Sequence, residues 1–140
     1  MLKKTIVLFC FMASIPVQAN PFCQGVSNEE CAARFAREMT DTIKNVRTGR
    51  GPFALDAITS SGSKITMTYR GVFTAHDFSA FLAEHRTTKQ DFLKLTHADF
   101  AKYQCDGPIK VVVSRGITIH NVLTLSDGGE LDSFDLTKCP

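Results

Sequence analysis

Helical spacing of apolar residues in three stretches, and alternation in others, divides most of this chain into elements. Ser27-Asn28-Glu29-Glu30 is a capping box, in which the Ser27 hydroxyl takes the Glu30 amide and the Glu30 side chain reaches back. Cys31, Phe35, Met39, Thr42, Ile43 and Val46 then fall on one stripe, the pattern of a core-facing helix. Arg47-Thr48-Gly49-Arg50-Gly51-Pro52 ends it, with two glycines and a proline. Ile65, Met67 and Tyr69 alternate with Lys64, Thr66, Thr68 and Arg70, a strand with one apolar and one wet face. Phe53 to Thr59 precedes it across Ser60-Ser61-Gly62-Ser63, which predicts an antiparallel hairpin. Capping boxes at Thr74–Asp77 and Thr88–Asp91 open two further helices. Phe78, Phe81 and Leu82 point inward on the first, and Phe92, Leu95, Thr96, Phe100 and Tyr103 on the second. Beyond them Ile109–Val113, Ile117–Leu125 and Leu131–Leu136 read as strands, joined by turns at Arg115-Gly116 and Asp127-Gly128-Gly129. Helices and strands in segregated runs predict an α+β fold. Its expected order is an N-terminal helix, a β-hairpin, two helices and a C-terminal three-stranded antiparallel meander, stabilised by disulfides.

The first residues follow neither pattern. Met1-Leu2-Lys3-Lys4 is a short basic segment, Thr5 to Val17 is apolar with Pro16 late in the run, and Val17-Gln18-Ala19 supplies small residues for a peptidase. This is the layout of a secretory signal, residues 1–19, removed after Ala19. Residues 20–140 are then expected to form one α+β domain, with no later stretch apolar enough to span a membrane. The destination is an oxidising one, periplasmic or secreted, and the two-lysine segment points to a bacterial periplasm. Cys10 follows Val7-Leu8-Phe9, where the bulky Phe9 is unsuited to lipid attachment, so a freely soluble form is expected.

Charge changes with this processing. Cleavage removes Lys3 and Lys4 from the 16 basic residues and none of the 14 acidic ones, leaving a formal charge of zero. A neutral domain has no long-range field to gather phosphates, which argues against nucleic acid or an anionic membrane surface as the main partner. Cleavage also removes Cys10 and leaves Cys23, Cys31, Cys105 and Cys139 in a compartment where cysteines pair. Four cysteines allow three connectivities, and spacing does not choose among them.

The segment Cys105-Asp106-Gly107-Pro108, followed by Gly116, then Asp127-Gly128, then Cys139, resembles a layout found in small exported bacterial proteins of uncharacterised function. There a Cys precedes a Pro, a short apolar strand, a Gly turn, a longer strand, an Asp-Gly turn and a closing Cys. The resemblance implies a Cys105–Cys139 bond around the β block, and no function or site residue. Cys23–Cys31 would close a short loop over the first helix's N-terminus. Loop entropy assigns these bonds about 3.8 and about 2.5 kcal/mol respectively. A plain meander opposes the longer bond, because its first strand starts and its third strand ends at opposite ends of the sheet.

Candidate chemistry is sparse. The histidines are His76, His85, His97 and His120, with no His-x-x-x-His or Cys-x-x-Cys spacing to hold zinc. His97 and Asp99, two apart on a helix, point to different sides. Asp127, Glu130, Asp132 and Asp135 lie on a turn and a strand where they fan out, unlike a calcium loop, and discourage edge pairing. There is no Gly-x-Ser-x-Gly elbow. The glycine-rich loop with Arg47 and Arg50 follows a helix and enters a strand, the reverse of a phosphate-binding loop. No metal or cofactor is expected.

These readings favour a non-catalytic exported factor that binds another envelope or secreted protein: an inhibitor, an immunity factor, or an accessory subunit or chaperone of an envelope or secretion machine. The expected contact surface is the strand face carrying Lys64, Thr66, Thr68 and Arg70, or the one carrying Thr118, His120 and Thr124. Two alternatives stand beside it. A periplasmic small-ligand carrier would need a cavity of roughly 300–1,000 Å³. A small periplasmic enzyme would need polar side chains converging in a cleft, with His120 the first place to look.

Overall fold

A computed structural model of the chain describes residues 23–45 and 49–140. The signal segment and its Ala19 boundary lie outside the described residues, as do Val46, Arg47 and Thr48.

Helix α1 (Asn28–Asn45) opens as the capping box requires, with the Glu30 amide donating to Ser27 Oγ at 3.2 Å. The Glu30 carboxylate does not close the box; it accepts from Arg34 Nε at 2.7 Å. Cys31, Ala32, Phe35 and Ala36 are buried along the helix, and Met39 and Ile43 pack partly buried beside them. Thr42, expected on that stripe, is exposed and donates to the Glu38 carbonyl at 3.1 Å. The inner stripe turns instead through Ala32 and Ala36, whose small side chains allow α1 to lie against the sheet.

The expected hairpin forms from β2 (Phe53–Ser61) and β3 (Lys64–Gly71), with β1 (Gly49–Arg50) added antiparallel outside β2. Ser61 pairs with Lys64, so the turn is the two residues Gly62-Ser63, and Gly62 takes a φ of 56°. Gly49 has no substitute, because a Cβ there would lie 2.2 Å from the Phe53 carbonyl oxygen. Ile65, Met67 and Tyr69 are buried as their alternation predicts.

Helices α2 (Ala75–Glu84) and α3 (Lys89–Cys105) are capped by Thr74 and Thr88, whose hydroxyls accept from Asp77 N and Asp91 N at 3.1 Å each. Their rings meet: Phe92 lies 5.2 Å from Phe78 and 5.8 Å from Phe81, centroid to centroid. Two residues expected inward on α3 are not. Leu95 is 72% exposed and Tyr103 41%, whereas Phe100 and Gln104 are buried. The buried stripe of α3 thus holds a polar residue and leaves out a leucine.

The largest departure follows. Ile109–Val113, expected as the meander's first strand, lies within a short helix, α4 (Ile109–Ser114), which Pro108 precedes and Arg115 caps. Four apolar residues in five, with Lys110 among them, fit a half-buried strand or a buried helical turn equally well. Here Ile109, Val112 and Val113 are buried at helical spacing. Two strands remain, β4 (Thr118–Thr124) and β5 (Glu130–Leu136), paired antiparallel. They join the hairpin in one five-stranded sheet, in the order β1-β2-β3-β4-β5, with β3 and β4 parallel. Parallel neighbours require a long crossover, which α2, α3 and α4 supply. The meander is therefore replaced by a mixed sheet, with α1, α3 and α4 on the face that presents Ile65, Met67, Tyr69, Ile119, Asn121 and Leu123. No helix of the described residues is long and apolar enough to cross a membrane.

This topology removes the objection to the longer disulfide. Cys105 ends α3, α3 packs on β5, and Cys139 follows β5, so the bond pins a helix end to a strand end. Cys23–Cys31 and Cys105–Cys139 are both formed, across 8 and 34 residues. Arg115, read from sequence as part of a strand turn, acts as a clamp. Its guanidinium donates to the Val26 carbonyl at 2.6 Å, to Asn28 Oδ1 at 3.2 Å and to the Cys23 carbonyl. Asn28 Nδ2 returns a bond to the Arg115 carbonyl at 2.7 Å. The first disulfide loop is thereby fastened to the α4–β4 junction, where Gly116 takes a φ of 90°.

Candidate functional site

The two strand faces expected as alternative contact surfaces are one surface. Because β3 and β4 are parallel neighbours, Lys64 pairs with Thr118, Thr66 with His120, Thr68 with Val122 and Arg70 with Thr124. All lie opposite the helix-covered face. The register carries the surface outward on both sides, through Thr59 and Ala57 of β2, paired with Thr66 and Thr68, and through Asp135 and Ser133 of β5, paired with His120 and Val122. Its polar groups are partly tied to one another. His120 Nδ1 lies 2.6 Å from Asp135 Oδ1, and Arg70 reaches Asp56 at 3.3 Å. Thr124 Oγ1 donates to the Tyr69 carbonyl at 3.0 Å. Asp56 occupies a bulge between Leu55 and Ala57, which turns it toward Arg70. The result is a broad face of hydroxyls and small apolar groups with Lys64 and Arg70 along one strand.

The His120–Asp135 pair has the form of a base held by a carboxylate. Thr66 stands beside His120, but no hydrogen bond joins the two side chains. The acids on and before β5 fan out as their positions imply, and three have definite partners. Asp127 accepts from the Ala75 amide at 3.3 Å. Asp132, on the helix-covered face of β5, lies 2.5 Å from His97 Nε2, and the His97 ring stacks on Phe134 at 4.0 Å. Asp135 holds His120 on the other face. Asp99 points away from His97 and takes Arg50 through two bonds of 2.7 and 2.9 Å. The Arg50 hydrogen bonds hold the Asp99 carboxyl below the usual carboxylate range. Among the described residues no three His, Cys, Asp or Glu side chains gather to hold a metal ion.

A second feature lies on the covered face. Between α1, the β2–β3 hairpin and the α3–α4 junction runs a groove of about 410 Å³, walled by Met39, Leu55, Met67, Tyr103, Pro108 and Ile109. Its floor contains Tyr69 and Gln104, 1% and 2% exposed. Gln104 Nε2 donates to Asn121 Oδ1 at 2.7 Å and to Tyr69 Oη at 3.0 Å, and Asn121 Nδ2 donates to Gln104 Oε1 at 3.1 Å. Burial pushes the Tyr69 phenol up to about 12, against the opposing pull of the Gln104 hydrogen bond. The sequence reading missed this cluster. The signal was present: Asn121 alternates with Ile119 and Leu123 on the inward face, and Gln104 follows Phe100 by four residues on the inward stripe.

This architecture is found in known proteins. It is similar to that of the type II secretion system pilotin AspS from Vibrio cholerae, with a TM-score of 0.58 and 13% identity over 79% of this chain and 89% of that one. The type II secretion system pilotin EpsS from Vibrio vulnificus gives a TM-score of 0.54 and 13% identity over 79% and 91% of the two chains. A Pseudomonas aeruginosa protein described as secreted gives 0.53 and 11% over 80% and 95%. No protein-family profile matches the sequence, and no curated protein matches it by sequence. At these identities the likeness is one of fold.

Proposed function

We propose that this chain is an exported, non-catalytic accessory factor of an envelope or secretion machine, which binds another envelope protein through the open face of its sheet. Export is by the residue 1–19 signal, with cleavage after Ala19. The observation that carries the reading is the register of β3 on β4, which merges Lys64, Thr66, Thr68, Arg70, Thr118, His120 and Thr124 into one continuous surface while helices occupy the other side. The fold likeness to two secretion-system pilotins supports an accessory role. Threonine is restricted at χ1, and a strand backbone is already ordered, so such a face loses little side-chain freedom when a partner covers it. Its charges are few and partly paired, so specificity rests on hydroxyl and imidazole hydrogen bonds with shape, and salt has a weak influence on association.

The test replaces Thr66, Thr68 and His120 together with Glu. The wild-type protein retains a defined envelope component from envelope extract, identified by mass spectrometry, and the variant loses it while its circular dichroism is unchanged. A folded variant that retains the same component removes the open face from the interaction. Substrate turnover by a wild-type protein that captures no partner replaces this reading with the enzyme one.

A further inference from the structure

The groove over Tyr69 is on the opposite side of the sheet from the proposed contact face, and its floor carries an unmet donor. The protons of the Gln104 amide go to Asn121 Oδ1 at 2.7 Å and to Tyr69 Oη at 3.0 Å, with the weaker acceptor Met67 Sδ also within reach at 3.8 Å. Tyr69 is therefore an acceptor from Gln104. For its own phenolic proton the described residues offer Met67 Sδ, 4.0 Å away and a weak acceptor. Tyr69 is 1% exposed, and a buried hydroxyl left without an oxygen or nitrogen acceptor destabilises the fold unless a water or a ligand in the groove meets it. Because burial raises its pKa to about 12, the group remains a donor throughout the physiological range.

The rest of the groove defines what that something is. The walls are largely aliphatic, and two are methionines, whose flexible thioethers adapt to irregular apolar shapes. A volume of about 410 Å³ is that of a small-molecule site. Asp106 is the charged side chain among the lining residues, and the neighbouring Arg50 is committed to Asp99. Among the described lining residues a carboxylate ligand would meet an anion and no cation. An extended peptide would bring backbone N–H groups that apolar walls cannot satisfy. A helix would bring apolar side chains and leave the phenol unmet. We infer that the groove binds a small neutral lipid of the acyl-ester class, its chain along Met39, Leu55 and Ile109 and its carbonyl oxygen accepting from Tyr69 Oη.

The chain contains no tryptophan, so Tyr103→Trp at the groove's lip supplies a single fluorophore. The exported protein carrying it is titrated with monolauroylglycerol below its micelle concentration. Parallel titrations use laurate, a hydrocarbon of equal chain length, and an amphipathic helical peptide. The expected result is a saturable blue shift with the ester and binding about tenfold weaker for the hydrocarbon, the size of one buried hydrogen bond. Laurate is weaker than the ester at pH 7. Tyr69→Phe in the same background reduces ester affinity to that of the hydrocarbon and leaves hydrocarbon affinity unchanged, and Met39→Phe, which fills the groove, weakens both. The Thr66, Thr68 and His120 to Glu variant keeps full ester affinity, which separates this inference from the open-face reading. Absence of a saturable shift, equal affinity for ester and hydrocarbon, laurate binding as tightly as the ester, or a response to the peptide alone overturns the inference. If Tyr69→Phe does not fold, the ester-to-hydrocarbon ratio on the unaltered floor decides it.

Discussion

The two faces of the sheet can be compared along a single strand. On the covered side of β4, Ile119, Asn121 and Leu123 are all at 0% exposure, while Thr118, His120, Val122 and Thr124 alternate with them half-buried on the open side. The inner set contains a fully polar side chain and the outer set an aliphatic one, so hydrophobicity alone does not separate them. What separates them is the partner each side chain finds. Asn121 is tolerated inside because Gln104 meets it from α3 through two hydrogen bonds, whereas an isolated amide at that depth would strongly destabilise the fold. Val122 is tolerated outside because a single half-buried aliphatic side chain on a polar face costs little. The covered face uses its polar groups to fix the position of α3 on the sheet. The open face ties several of its polar groups to one another, His120 to Asp135 and Arg70 to Asp56, at the sheet's surface.

If this division is right, substitutions should separate by face in their effect on stability. Phe100→Ala should have the largest effect, because Phe100 is 1% exposed and its ring lies 4.8 Å from Tyr69, 5.9 Å from Phe134 and 6.1 Å from Phe53. Chemical denaturation should show a loss of about 3–5 kcal/mol. Asn121→Leu should follow, at about 2–3 kcal/mol, because it strands the Gln104 amide in the core. Combining it with Gln104→Leu should recover part of that loss; a double variant as unstable as the sum of the two singles would show that packing, and not hydrogen bonding, sets the cost. Arg115→Met tests the clamp outside both faces. It should cost about 1.5–3 kcal/mol, the range for hydrogen bonds to a charged group, and speed hydrogen exchange around Asn28 while both disulfides stay closed. Thr66→Ala on the open face should stay within about 0.5 kcal/mol of wild type. A loss there comparable to that of Asn121→Leu would break the comparison between faces.

The smallest effect concerns pH. The Arg50 hydrogen bonds lower the Asp99 carboxyl in the folded state, so the pair contributes stability above the unfolded carboxyl pKa of about 4. That contribution is lost as pH falls through the lower folded value. Both side chains are 46% exposed, so the slope is shallow and weakens with salt. Asp99→Asn should flatten the acid limb of the thermal-stability profile by a small amount and leave the neutral plateau close to wild type.

Much of the fold was legible because its signals are local. Ser27, Thr74 and Thr88 each stand three residues before the amide they accept, and all three contacts form. Leu95 and Tyr103 were misplaced because α3 changes its neighbours along its length, from Phe78 and Phe81 of α2 to Phe134 of β5. One fixed apolar stripe cannot describe a helix whose packing partner rotates around it. The candidate contact residues were legible one strand at a time, since alternation sorts Thr66 from Met67 and His120 from Asn121. Their union was not, and neither was the groove, because Tyr69, Gln104 and Asn121 meet across 35 and 17 residues of sequence.

By itself, the sequence determined the helix starts at Ser27, Thr74 and Thr88, the β2–β3 hairpin, and the inward side of β3 through Ile65, Met67 and Tyr69. Each depends on neighbours a few residues apart, where backbone geometry and side-chain period leave few choices. Only the tertiary structure decided that Ile109–Ser114 coils, that β4 runs parallel to β3, that Cys105 can reach Cys139, and that two polar half-faces form one. A short, mostly apolar run such as Ile109–Val113, with Lys110 within it, satisfies a strand and a buried helical turn alike. The long connection from β3, through α2 and α3, brings β4 in parallel, and the remaining run closes that crossover as a helix.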